Sequence, residues 1–148
     1  IGQATAKLAQ AFGMTVITTS RTRRENDLGI EYVDMDTLLA RSDFVSLHCP
    51  LFAENTKMVN AEFISRMKDG AFLINTARGG LLDEQAVADA LAAGKLAGAG
   101  LDVFSQEPTQ NIALCNHPKV SVTPHIGGQT QEAQSRIGDE IVSIICTF

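Results

Sequence analysis

Arg78, Glu107 and His125 are the residues whose types and places in this sequence could do chemistry together. Arg78 stands in Asn75-Thr76-Ala77-Arg78-Gly79-Gly80, a polar, glycine-bearing turn after the short apolar run Ala71-Phe72-Leu73-Ile74. A turn leading from a buried strand into a helix, here one opening at Asp83, is where parallel α/β sheets place ligands, outside the carboxyl ends of their strands. An arginine there, beside the backbone of Thr76 and Ala77, is a fixed cation whose planar fork matches a carboxylate. Taken alone it reads as a solvated loop cation. Glu107 and His125 change that, because Leu101-Asp102-Val103-Phe104, Glu107-Pro108 and Thr123-Pro124-His125-Ile126-Gly127 lie after further strands and can converge on one cleft. A lone histidine is more often structural, but one paired with a carboxylate can give or take a proton near neutrality.

Two other constellations point to a dinucleotide. Ile1-Gly2 opens a helix followed about seventeen residues later by the end of the next strand, the back half of a fingerprint in which helix N-terminal amides hold a pyrophosphate. Only the last glycine of that fingerprint is present, so Gly2 by itself carries almost no signal. About twenty residues on, where an NAD-binding chain carries an acid for the ribose hydroxyls, the strand ends in Ser20-Arg21-Thr22-Arg23-Arg24. An acid repels a 2′-phosphate whereas serine and arginine donors attract it, so the substitution favours NADP over NAD. The alternative is a solvated basic turn.

The elements that must position these residues follow from periodicity. Ile1, Ala4, Leu8, Ala11 and Phe12 recur at helical spacing and predict an amphipathic helix ending at Gly13. Residues 14–19 read as a β-branched parallel strand, 30–33 as a short strand, 35–40 as a helical turn or two, and 43–47 as a buried strand closed by His48-Cys49-Pro50. Asn60 caps a helix with Phe63, Ile64 and Met67 inward. Residues 71–74 form the pivotal strand. Asp83 caps the next helix, which ends at Gly94. Residues 96–103 are a strand rich in Gly and Ala, narrow enough for close-packed neighbours. Residues 105–118 read as irregular, 119–123 as a last strand, and 130–148 as a closing helix with Ile137, Ile141, Ile144 and Ile145 inward. The alternation predicts an α/β, doubly wound, Rossmann-like parallel sheet.

Composition bounds the rest. With 148 residues, 45% of them hydrophobic and 20% charged, the chain can bury the core of about one domain. A net charge of −5 argues against binding nucleic acid through its phosphates. No apolar run approaches the ~20 residues of a membrane span, and no leader pattern opens the sequence, so a cytoplasmic location is expected. Cys49, Cys115 and Cys146 are widely spaced, without metal-ligand pairing, and read as reduced thiols with no metal site.

Together the motifs resemble the D-isomer-specific 2-hydroxyacid dehydrogenase family over nearly the whole chain. The carriers are residues 74–80 with Leu82-Asp83-Glu84, then residues 97–104 with Glu107-Pro108, and Thr123-Pro124-His125-Ile126-Gly127-Gly128 with Thr130. The resemblance implies NAD(P)H-dependent reduction of a small 2-oxo acid to the D-2-hydroxy acid. In it, Arg78 binds the carboxylate and carbonyl oxygen, His125 delivers the proton, and Glu107 holds His125. Asp102 would bond the nicotinamide carboxamide, Pro50 and Thr56 would line the cofactor slot, and Gly128 would stand at the same site as Ile1, Gly2, Ser20, Arg21, Thr22, Thr76 and Ala77. The family also implies a homodimer, for which the apolar Ile141-Val142-Ser143-Ile144-Ile145 offers weak support.

The departures carry expectations too. The family's first strand, which lies mid-sheet, and two earlier glycines are absent, as is the flanking substrate domain. Residues 1–148 are therefore expected to be a dinucleotide-binding domain fragment, inactive alone, with a slot of unpaired backbone in its sheet. Phe52 replaces a small hydroxyl residue, and the stretch between Pro108 and Pro118 is short. The Ser20-Arg21-Thr22-Arg23 turn and His48-Cys49-Pro50-Leu51 look most like the hydroxypyruvate and glyoxylate reductase branch. 3-Phosphoglycerate dehydrogenase and D-lactate dehydrogenase stay open, as do a dinucleotide-sensing corepressor and a non-functional remnant.

Overall fold

A computed structural model describes residues 1–23 and 28–147. Arg24 of the basic turn and Phe148 lie outside the described residues. The elements run α1 (Gly2–Ala11), β1 (Ile17–Thr18), β2 (Glu31–Tyr32), α2 (Met35–Arg41), β3 (Phe44–Leu47), α3 (Ala61–Arg66) and β4 (Ala71–Asn75). They continue through α4 (Glu84–Ala92), β5 (Leu96–Leu101), α5 (Ile112–Cys115), β6 (Val120–Val122) and α6 (Gln131–Thr147). Helix starts follow side-chain caps: Asn60 accepts from the Phe63 amide at 2.9 Å, and Asp83 accepts from the amides of Gln85 and Ala86. Gly13 and Gly94, with φ of 80° and 76°, stop α1 and α4 in the left-handed region open to glycine.

The fold is α/β with parallel strands, as the alternation predicts. β3, β4, β5 and β6 form one sheet in that order, all parallel. Its register sets Leu47 beside Asn75, Asn75 beside Leu101, and Leu101 beside Val122. The carboxyl ends of four strands therefore lie in one row, and the loops after them leave from one edge. β1 and β2 pair in parallel as a separate two-stranded sheet, which agrees with an interrupted sheet.

One face of the larger sheet is packed. Val45, Leu47, Leu73, Ala99 and Leu101 meet Leu39, Phe63, Ile64, Val87 and Leu91 of α2, α3 and α4 in a single core. Gly98 in β5 permits the close approach its neighbours need, since a Cβ there would lie 3.0 Å from both the Lys119 carbonyl and the Phe72 ring. On the opposite face Phe44 and Phe72 stack at 4.9 Å and remain 49% and 39% exposed.

Three expectations are corrected. The strand expected over 14–19 pairs only at Ile17 and Thr18. The stretch 105–118 is not wholly irregular: Asn111 caps the one-turn α5 through the Leu114 amide, and Leu114 is buried. Ile137, Ile141, Ile144 and Ile145 do not point inward, for each is about half or more exposed and no described residue of α6 is buried. Their spacing makes a stripe, but nothing in the described chain covers it. Similarly, Ala6 is the buried residue of α1, while Leu8 and Phe12 face solvent. No helix of the described residues is long and apolar enough to cross a membrane.

Candidate active site

The aligned strand ends put the sequence-selected loops side by side. After β4, Asn75 is fully buried and closes the turn: its side-chain amide donates to the Arg78 carbonyl at 3.0 Å, and its oxygen accepts from the Ala77 amide at 3.1 Å. A buried amide with both ends satisfied fixes the backbone from which Arg78 projects. Arg78 is exposed and donates from Nη1 to the Ala77 carbonyl at 2.7 Å, which leaves other guanidinium donors for a ligand.

The next residue joins this turn to the loop after β5. A Cβ on Gly79 would sit 1.9 Å from the carbonyl carbon and oxygen of Phe104, so only glycine lets the two backbones touch. Beyond Phe104, Glu107 accepts the Phe104 amide on Oε1 at 3.0 Å and meets His125 Nδ1 with Oε2 at 2.7 Å. The His125 contact, aided by the Phe104 amide, holds the Glu107 carboxyl below its ordinary range. An ionised carboxylate can only accept, so Nδ1 of His125 carries the proton and Nε2 is the atom turned to other partners.

Asp102 holds the other side of the pair. Its Oδ1 accepts from the Thr123 hydroxyl at 2.5 Å and the Ile126 amide at 3.0 Å, and its Oδ2 from the Gly127 amide at 3.3 Å. Burial raises the Asp102 carboxyl, but these donors together outweigh it, and the net displacement is downward. The His125 backbone between them adopts φ of 55°, which costs a residue with a Cβ and persists only where neighbours over-determine it. Asp102 grips the amides immediately after His125.

A cleft of about 200 Å³ lies beside Arg78, lined by Ile1, His48, Cys49, Pro50, Thr76, Ala77 and Arg78. Gly2 begins α1 against its wall, where a Cβ would press on His48 at 3.2 Å. α1 has no side-chain cap at Ile1, so its first amides stay free for an anion. Burial lowers the His48 imidazole, and its Nε2 lies 3.0 Å from Ser46 Oγ. Burial pushes the Cys49 thiol up, away from reactivity. A larger cavity, about 580 Å³, opens between α3 and α4 against Ala61, Ile64, Ala86 and Ala90, remote from these groups. The smaller cleft is the candidate because Arg78 lines it, although Glu107, His125 and Asp102 are not among its lining residues.

Of the remaining site residues, Pro50 lines the cleft and the others sit apart from it. Ser20 turns its hydroxyl to the Thr22 carbonyl at 2.6 Å, Arg21 pairs with Glu54 at 3.0 Å over the Phe52 ring, and Arg23 lies over Tyr32. Thr56 donates to the Phe52 carbonyl at 3.1 Å rather than into the cleft, and the Pro50 carbonyl accepts from Asn55. Gly128 is exposed, its carbonyl bonded to Gln134. Sequence reasoning missed Glu54 and gave no role of its own to Glu84, whose carboxylate reaches Ser105 and Asn111. An acid in the first turn of a helix is explained by the helix dipole alone, so no local signal marks it.

Comparison with known proteins places this geometry. The sequence profile described as D-isomer specific 2-hydroxyacid dehydrogenase, NAD binding domain, matches residues 1–127. Hydroxypyruvate reductase of Thermotoga maritima is 49% identical over 148 residues, covering 98% of this chain and 48% of that protein. Glyoxylate reductase of Thermococcus litoralis is 46% identical over 151 residues, covering 100% and 46%. The crystal structure of D-lactate dehydrogenase from Aquifex aeolicus complexed with NAD and lactic acid superposes with a TM-score of 0.89 at 37% identity, covering 100% of this chain and 50% of that one. The chain spans about half the length of these relatives.

Proposed function

Because the chain belongs to the D-isomer specific 2-hydroxyacid dehydrogenase family, we propose that it is the dinucleotide-binding domain of an NAD(P)H-dependent reductase of small 2-oxo acids, with hydroxypyruvate or glyoxylate as substrate. The observation that carries this is the His125–Glu107 pair at 2.7 Å, on a loop whose backbone touches the Arg78 turn at Gly79. The uncapped start of α1, with Gly2 allowing close packing, suits a pyrophosphate, and Ser20, Arg21 and Arg23 suit a 2′-phosphate better than free hydroxyls. The dinucleotide, when bound, supplies the hydride.

Each residue then has a role set by charge. Arg78 takes the substrate carboxylate with its free guanidinium donors and polarises the adjacent carbonyl oxygen. As negative charge grows on that oxygen, His125 gives it a proton from Nε2, while Glu107 stays ionised and offsets the charge on the ring. Asp102 keeps His125 in its left-handed backbone position. Arg78 and His125 interact most strongly where charge develops, so they lower the barrier more than they tighten ground-state binding. The same reading makes the intact protein a cytoplasmic homodimer, with the exposed stripe of α6 as its apolar contribution.

The test is a titration of the full-length protein with NADPH and with NADH, followed by addition of hydroxypyruvate, glyoxylate or 3-phosphohydroxypyruvate. NADPH preference with turnover of an unphosphorylated 2-oxo acid is expected. Turnover confined to the phosphorylated acid would move the substrate to the phosphoglycerate branch. Tight NADH binding without turnover would make the protein a dinucleotide sensor.

A further inference from the structure

The loop that carries Glu107 has two shoulders, and a single carboxylate holds both. Glu84 Oε1 accepts the Ser105 amide and the Ser105 hydroxyl, each at 2.8 Å, and its Oε2 accepts the Asn111 side-chain amide at 2.9 Å. These partners lie 21 and 27 residues beyond Glu84 and flank Glu107 on either side. Glu84 itself is fixed. It is the first residue of α4, whose Val87 and Leu91 are 0% and 1% exposed. Asn111 passes the tether on, since its oxygen accepts the amide of the buried Leu114.

An acid at a helix start needs only solvent and the helix dipole to be stable. Here both oxygens are directed at the loop that carries Glu107. Burial raises the Glu84 carboxyl, and the donors from Asn111 and Ser105 outweigh it to leave it lowered and ionised. Glu107 orients His125 through a single bond, so any drift of the loop passes directly into the angle of the imidazole.

We propose that Glu84 is a positioning residue: by clamping Ser105 and Asn111 it fixes Glu107, and through Glu107 the orientation of His125. The proposal rests on the reductase reading above, in which that orientation governs proton delivery. A donor misplaced by ~1 Å can cost ~10²-fold in rate, so a partial loosening is expected to cost ~10-fold or more in kcat.

The test is a double-mutant cycle in the full-length protein, with amide hydrogen exchange as a readout independent of activity. Glu84→Ala is expected to speed exchange at Ser105 and to lower kcat for 2-oxo acid reduction by ~10-fold or more, with NAD(P)H affinity and KM within ~2-fold. In a Glu107→Gln background the same substitution is expected to cost less than ~2-fold, because the group it acts through is gone. Glu84→Gln, whose amide oxygen keeps both Ser105 donors, should recover part of the loss. If Glu84→Ala does not fold, Asn111→Asp keeps the acceptor for Leu114 while setting like charges against each other, and should lower kcat in the same way. Equal losses in both backgrounds, or an unchanged kcat beside an active wild type, would overturn the proposal. A wild type that reduces no 2-oxo acid would overturn the reading beneath it.

Discussion

Asp102 accepts the Ile126 amide and the Thr123 hydroxyl on Oδ1 and the Gly127 amide on Oδ2, and this is where a pH dependence enters. The Asp102 carboxyl is held below its unfolded value of about 3.8 by Thr123, Ile126 and Gly127, against a burial contribution that raises it. In that window the unfolded chain binds more protons than the folded one, so stability rises with pH. The contribution is complete above the ordinary carboxylate range and is lost as pH falls through the folded value. Thermal melts against pH should therefore show a Tm falling below about pH 4. Asp102→Asn should be about 1–3 kcal/mol less stable at pH 7, because a donor is left unpaired, and should show a shallower acid slope. An unchanged slope would mean that other carboxylates dominate the acid limb. Glu107 follows the same sign, its lowered carboxyl gaining from His125 first and from the Phe104 amide second.

Among elements, the junction between the β4 and β5 loops is the tightest. Gly79 lies where a methyl group would overlap the Phe104 backbone, and backbone cannot swing aside as a side chain can. Gly79→Ala is expected to cost at least the ~1–3 kcal/mol of ordinary overpacking, read from urea denaturation, and to separate Arg78 from the Glu107 loop. A stability within about 0.5 kcal/mol of wild type would show that the contact is looser. Much at this scale was legible from sequence because its causes are local. Asn60, Asp83, Gly13 and Gly94 act within a turn of where they stand, and the apolar run Ala71-Phe72-Leu73-Ile74 marks the pivotal strand, whose inner face of Ala71, Leu73 and Asn75 the structure adds. The turns that carry Arg78, Glu107 and His125 were legible for the same reason, each following a readable strand. The Glu84 tether and the Arg21–Glu54 pair were not, since both join residues more than twenty positions apart. α5 escaped because four residues are too few to show a helical period.

For the molecule as a whole, periodicity fixes that α6 has an apolar stripe without saying what covers it. Ile137, Ile141, Ile144 and Ile145 keep helical spacing and remain 46% to 68% exposed. Exposed apolar patches larger than scattered single residues commonly mark interaction sites. If it joins two copies, light scattering of the full-length protein should give a dimer mass, and Ile141→Glu with Ile145→Glu should lower it to that of the monomer. A dimer that survives both substitutions would place the interface elsewhere. The larger parallel sheet aligns four strand ends, and through them α1, the Arg78 turn, the Glu107 loop and the His125 turn, at a single edge. That alignment is what brings turns far apart in the sequence to one edge, as the proposed reaction requires.

The most direct test of that convergence is kcat/KM of the full-length protein for hydroxypyruvate, compared with Arg78→Ala, with cofactor affinity measured alongside. Loss of the cation that faces the developing charge should lower kcat/KM by ~10²-fold or more, about 2.7 kcal/mol, while NAD(P)H binding stays unchanged. A near-normal kcat/KM in the variant would contradict the assignment of Arg78, and with it the placing of the reaction at this edge of the sheet.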